Sequence, residues 1–117
     1  MRPAIIDGLI GYSLQGAPRG PTAALIHWCN GSTAPVLSLD VPSGIDSTTG
    51  SAPGDCLRPD RTLTLALPKT GLAPAATGAL VLADIGLPAG VYARAGIDYQ
   101  SPFASGYRVP LQRRPVP

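Results

Sequence analysis

Four short apolar runs, each cut off by glycine, proline or aspartate, set the terms on which this chain can fold. They are Ala4–Gly11 (AIIDGLIG), Pro35–Val41 (PVLSLDV), Arg61–Leu67 (RTLTLAL) and Ala79–Asp84 (ALVLAD). Runs of this length, bounded by turn residues, read as buried strands rather than helices. Between the first two lies a loop, YSLQGAPRGP, and then a helical pattern. Over 21–30 the residues Ala24, Leu25, Trp28 and Cys29 share one helical face, with Pro21 at its start and Gly31 at its stop. A Gly/Ser/Thr/Asp/Pro-rich loop follows from Ile45 to Asp60, a short helical turn is predicted within 68–78, and a short helix over 88–95. From Gly96 the pattern fades, and YRVPLQRRPVP reads as a loosely held terminus. The expected organisation is therefore a folded unit over 1–95 and a poorly ordered tail over 96–117.

A helix between two apolar strands argues for a parallel α/β sheet, with the first two strands as parallel neighbours. Parallel sheets are normally covered by helices on both faces. This chain predicts too few helices for that, so the sheet is expected to be incomplete, with a missing segment or a partner covering the rest. An exposed apolar patch beside the 4–11 strand, and self-association through it, follow from the same reasoning.

Composition narrows the function classes. Glycine and proline, 14 each in 117 residues, approach the level of about a quarter at which low-complexity chains begin. Against disorder stand 44% hydrophobic and only 14% charged residues. The net charge of +2 and scattered basic residues argue against a nucleic-acid partner. No apolar run is long enough to span a membrane, and the N-terminus makes a poor signal peptide. Cys29 and Cys56 are read as two reduced thiols of a cytoplasmic protein; with one histidine and no CxxC pair, a zinc site is nearly excluded.

Ligands of open parallel sheets bind beyond the carboxyl ends of the strands. Asp7 and Asp40 lie near two such ends, followed by the 11–20 loop and by Pro42-Ser43-Gly44. Two carboxylates, a hydroxyl and glycine-freed amides suit a hard cation, or a phosphate cradled with Arg19. Each residue also has a plainer reading. Asp7 could simply accept loop amides, Asp40 could be a turn residue, and Ser43 a small turn residue without the elbow a serine nucleophile needs. His27 reads as a surface histidine, Lys69 as a solvated loop lysine, and Trp28 as core.

The blocks IIDGLIGYSLQGAPRGP, PVLSLDVPSGIDSTTG, TLTLALPKTGL and LVLADIGLP occur in order. Together they resemble the NAD(P)H-hydrate epimerase family, the YjeF N-terminal domain, over about residues 4 to 92. LSLDVPSGID is the most specific block. The resemblance implies a Rossmann-like α/β fold, a dimer, a bound potassium ion, and interconversion of the R and S epimers of NADHX and NADPHX. It implies that Asp7 and Ser43 contact potassium, that Gly11, Tyr12, Ser13, Leu14, Gln15, Gly16 and Ala17 form the substrate loop, and that Asp40 contacts substrate and is the catalytic group. Family members also carry an upstream half with a GNNGGDG-type motif, which this sequence lacks. The chain is thus expected to be the second half of the domain, inactive or weakly active alone, acting as a homodimer or joined to a missing N-terminal half. Two other readings are a catalytically silent scaffold of the same lineage and an unrelated phosphate- or nucleotide-binding protein.

Overall fold

The computed structural model describes residues 3–112; residues 1–2 and 113–117 lie outside the described residues. The element order is β1 (Ile5–Asp7), α1 (Gly20–Asn30), β2 (Val36–Leu39), β3 (Arg61–Leu65), α2 (Pro74–Thr77), β4 (Ala79–Ala83), α3 (Ala89–Arg94) and β5 (Arg108–Pro110). One mixed sheet runs in sequence order, β1-β2-β3-β4-β5. The first four strands are parallel, with Asp7 opposite Ser38 and Leu39 opposite Leu63. β5 closes the sheet antiparallel to β4, with Leu82 opposite Val109. The expected α/β architecture is present, and β1 and β2 are the parallel neighbours that the sequence predicts.

Each predicted strand is shorter than its apolar run. β1 ends at Asp7, whose side chain takes up the amide of Leu9. β2 and β3 end where the backbone turns sharply, at Asp40 (φ 67°) and Ala66 (φ 65°). Periodicity marks where apolar residues continue; it does not mark a left-handed residue that ends pairing.

α1 begins one residue earlier than expected, with Pro21 in its first turn, and Gly31 ends it. It buries Ile26 and Cys29 against Val36 and Leu57, with Ile5 packed alongside. Of the predicted face only Cys29 is buried: Leu25 is exposed and Trp28 is 65% exposed, so Trp28 is not core. The helix carries apolar residues on two sides, and the sequence alone does not say which side meets the sheet.

The connection from β2 to β3, residues 40–60, contains no helix or strand. It covers the sheet in place of a helix, burying Val41 and Ile45 with Leu72. Connections longer than about 15 residues without secondary structure are uncommon in compact domains and are often functional. Gly44 (φ 95°) allows this one to lie close, because a Cβ there would overlap the carbonyl oxygen of Asp55.

Alternation along the strands leaves the two faces unequal. Val36, Ser38, Thr62 and Thr64 are buried on one face. On the other, Ile6 is 66% exposed and Leu39 is exposed. Leu9 and Tyr12 continue the exposed apolar surface beside β1, where the incomplete sheet predicts it.

The expected poorly ordered tail differs from the structure over 96–112. Phe103 is buried, Tyr99 stacks on Tyr92 with ring centroids 3.8 Å apart, and β5 adds a strand to the sheet. The folded unit therefore extends past residue 95. Prolines around a three-residue strand hide it, since proline is tolerated on an edge strand but reads as a breaker.

Candidate functional site at the carboxyl ends of the strands

The parallel order of β1, β2 and β3 brings the segments after Asp7, Leu39 and Leu65 to one end of the sheet. Two side-chain systems stand there.

The first is centred on Asp7, 2% exposed. Its Oδ2 accepts from Ser38 Oγ at 2.7 Å and from the Ser43 amide at 2.9 Å. Its Oδ1 accepts from Ser43 Oγ at 2.5 Å and from the Leu9 amide at 3.3 Å. Ser43 Oγ in turn accepts from the Ile10 amide at 2.9 Å and lies 3.3 Å from the Ile10 carbonyl oxygen. The predicted meeting of Asp7 and Ser43 is direct, and the bonds from Asp7 to loop amides that the plainer reading expects are also present. Among the described residues no basic side chain pairs with this buried carboxylate. Burying an anion without a counter-charge is costly, and hydroxyl and amide donors offset the cost only in part.

The second is centred on Asp40. Its Oδ1 accepts from the Leu65 amide at 3.1 Å, Thr64 Oγ1 at 3.3 Å and Lys69 Nζ at 2.5 Å. Among the described residues nothing donates to Oδ2. Asp40 and Lys69 are each about one-fifth exposed, so Lys69 is a buttressed ion-pair partner and not the solvated loop lysine expected. The pair borders a cleft of about 460 Å³ whose walls include Tyr12, Leu67, Val91 and Tyr92.

Asp40 and Ala66 share an unusual backbone form. The Val41 amide bonds the Leu39 carbonyl at 2.9 Å, and the Leu67 amide bonds the Leu65 carbonyl at 2.8 Å. With central φ values of 67° and 65°, both are γ-turns of the rare, strained kind. Such residues cost of order 1–3 kcal/mol each and persist where surrounding contacts over-determine them.

The predicted substrate loop begins beside both systems: Ile10, just before it, is held by Ser43, and Tyr12 borders the Asp40 cleft, while Ala17 lies against Gly54. Of its other members, Gly11 and Leu14 are half-buried while Ser13, Gln15 and Gly16 are exposed. Asp40 makes no hydrogen bond to Asp7 or Ser43; its Oδ1 is bound to the end of β3 and to Lys69. The sequence reading missed Ser38, Thr64 and the true position of Lys69. The signal was the alternation in LSL and TLTL, which puts small hydroxyl residues on one buried face.

Oxygen donors suit the implied potassium ion in kind: the Asp7 carboxylate, Ser43 Oγ and the Ile10 carbonyl oxygen lie together around a buried anion. Among the described residues no three His, Cys or Asp side chains cluster as a metal site.

The family described as YjeF-related protein N-terminus matches residues 2–71. The NAD(P)H-hydrate epimerase of Dehalogenimonas lykanthroporepellens is 55% identical over 108 residues, 92% of this chain and 44% of that protein. The NAD(P)H-hydrate epimerase of Truepera radiovictrix is 42% identical over 94 residues, 80% of this chain and 43% of that protein. The bifunctional NAD(P)H-hydrate repair enzyme Nnr of Escherichia coli is 38% identical over 87 residues, 71% of this chain and 17% of that protein. The crystal structure of yeast ynu0 shares the fold, with a TM-score of 0.73 at 19% identity, covering 92% of this chain and 46% of that one. The chain thus spans less than half the length of these curated relatives. From the match over 2–71 and from relatives that carry the same stretch, the chain belongs to the YjeF N-terminal family, that of the NAD(P)H-hydrate epimerases.

Proposed function

We propose that this chain supplies the carboxyl half of an NAD(P)H-hydrate epimerase site. The observation that carries the reading is Asp40, held by one oxygen at the mouth of an apolar cleft with its other oxygen free of donors. Epimerisation at the hydrated carbon requires loss of the hydroxyl group as water, leaving a cationic iminium-type ring, and re-addition of water on the other face. Asp40 Oδ2 serves both steps. It gives a proton to the departing hydroxyl, stabilises the cation as a carboxylate, and takes a proton back from the entering water. The Gly11–Ala17 loop holds the dinucleotide, and Tyr12 forms one wall against the ring.

Asp7 and Ser43 would hold the potassium ion, with the Ile10 carbonyl beside them. When bound, the ion supplies charge to the buried carboxylate and fixes the loop that begins at Ile10. The exposed apolar surface on Ile6 and Leu39 is covered by further family sequence or by a second copy in a homodimer. Among the described residues no helix is long and apolar enough to cross a membrane. The proposed location is the cytoplasm, as the two reduced thiols suggest.

The test follows R-to-S conversion of NADHX through an S-specific dehydratase, with potassium present. The assay adds to this chain the part of the Dehalogenimonas lykanthroporepellens epimerase outside the matched region. Asp40→Asn is expected to lower turnover about 10²- to 10⁴-fold, the range for loss of a general acid–base group. Asparagine keeps the shape of Asp40 and an oxygen acceptor for Lys69 and the Leu65 amide, so the fold should remain. Full turnover by a folded Asp40→Asn protein would remove Asp40 from the chemistry.

A further inference from the structure

The Lys69 ammonium group is heavily engaged at the cleft. It donates to Asp40 Oδ1 at 2.5 Å, to Thr64 Oγ1 at 2.9 Å and to the Leu65 carbonyl at 2.8 Å. An ammonium has three protons, and all three are directed into the protein, leaving none to bind a phosphate. The acceptors are also specific in kind. Asp40 is the central residue of the γ-turn that ends β2, and the Leu65 carbonyl opens the γ-turn that ends β3. The Lys69 ammonium therefore adds a second link between the two strained turns, beside the bond from the Leu65 amide to Asp40 Oδ1.

We propose that Lys69 is the positioning residue of the site: it ties the γ-turns at Asp40 and Ala66 together and keeps Asp40 Oδ1 occupied, so that Oδ2 faces the cleft. Without the tie, Asp40 Oδ1 keeps only the Leu65 amide and the Thr64 hydroxyl, and its side chain and the β2 turn at φ 67° are less firmly held. A carboxylate that must deliver and recover a proton on opposite faces of one ring loses most of its advantage when its orientation spreads. A short hydrogen-bonded amine held against Thr64 and Leu65 prevents that spread. Arginine, with more donors but a flat fork, keeps the charge and part of the geometry; methionine keeps the stem and loses both. The catalytic consequence rests on the epimerase reading; the tie itself does not.

The test starts with the wild-type 117-residue chain, isotope-labelled for NMR. The Lys69 ammonium is expected to give a resolved proton–nitrogen signal with a coupling through the hydrogen bond to the Asp40 carboxyl carbon. An ammonium in free exchange with water, without that signal, overturns the proposal. In Lys69→Met the carboxyl and amide signals of Asp40 and the amide signals of Ala66 and Leu67 should move, while those of α1 and β1 stay. Lys69→Arg should return them most of the way. Unmoved Asp40 signals in Lys69→Met also overturn the proposal, and if that variant does not fold, the wild-type coupling and Lys69→Arg decide.

In the supplemented assay, Lys69→Met should lower kcat about 10²-fold with KM within about threefold, and Lys69→Arg should keep kcat within about tenfold of wild type. A change confined to KM would make Lys69 a binding residue and overturn positioning. No turnover by the wild-type assembly would sink the epimerase reading alone, and the NMR signals would still decide the tie.

Discussion

Residues 7 and 40 are both aspartates at strand ends, but their surroundings give them different work. Asp7 is a buried hub whose two oxygens gather Ser38, Ser43 and the Leu9 amide. Removing it in Asp7→Ala leaves the Ser43 amide, two hydroxyls and the Leu9 amide without their acceptor. Unpaired buried donors are costly, so a loss of about 3 kcal/mol in unfolding free energy is expected, read as a lower denaturant midpoint. A stability change below about 0.5 kcal/mol would show that Asp7 does not organise the loop. Asp40 is held by one oxygen, and its replacement should touch turnover far more than stability. The sequence made both aspartates legible as strand-end carboxylates, because apolar runs ending in Asp are conspicuous. It did not reveal that Lys69 folds back four residues onto its own strand end, since that depends on a left-handed turn at Ala66 that periodicity does not encode.

At the scale of elements, the parallel strands were legible because each apolar run is bounded by residues that break pairing. α1 was legible as a helix but not in orientation, since Leu25 and Trp28 are as apolar as the buried Ile26 and Cys29. β5 was not legible at all. Its partner is β4, about twenty-five residues upstream, and its own sequence reads as a proline-rich tail. The returning segment is anchored by Phe103, which is 4% exposed. Phe103→Ala should therefore lower stability by about 3–5 kcal/mol, the range for deleting a buried aromatic side chain. Thermal melts and hydrogen exchange across 96–112 would show it. An unchanged midpoint would mean that this segment is held on the surface rather than built into the unit.

For the whole molecule, one sheet face is covered by α1 and the 40–60 connection, while the other displays Ile6 and Leu39 beside an edge strand. An uncovered face and a free parallel edge favour pairing with another chain. Sedimentation velocity should find the isolated chain self-associated, and Ile6→Arg should shift it toward monomer. A monodisperse wild-type monomer that unfolds cooperatively would contradict this.

The proposed activity depends on the same point, since the chain spans less than half the length of its curated relatives. In the proposed site Asp7 and Ser43 would provide only part of an ion shell, and of the 11–17 loop only Tyr12 borders the Asp40 cleft. The most direct measurement is R-to-S conversion of NADHX by the 117-residue chain, alone and then supplemented with the remaining segment of the Dehalogenimonas lykanthroporepellens epimerase. The account predicts little or no turnover alone and potassium-dependent turnover once the segment is added. Robust turnover by the isolated chain, or none from a folded, assembled pair, would contradict it.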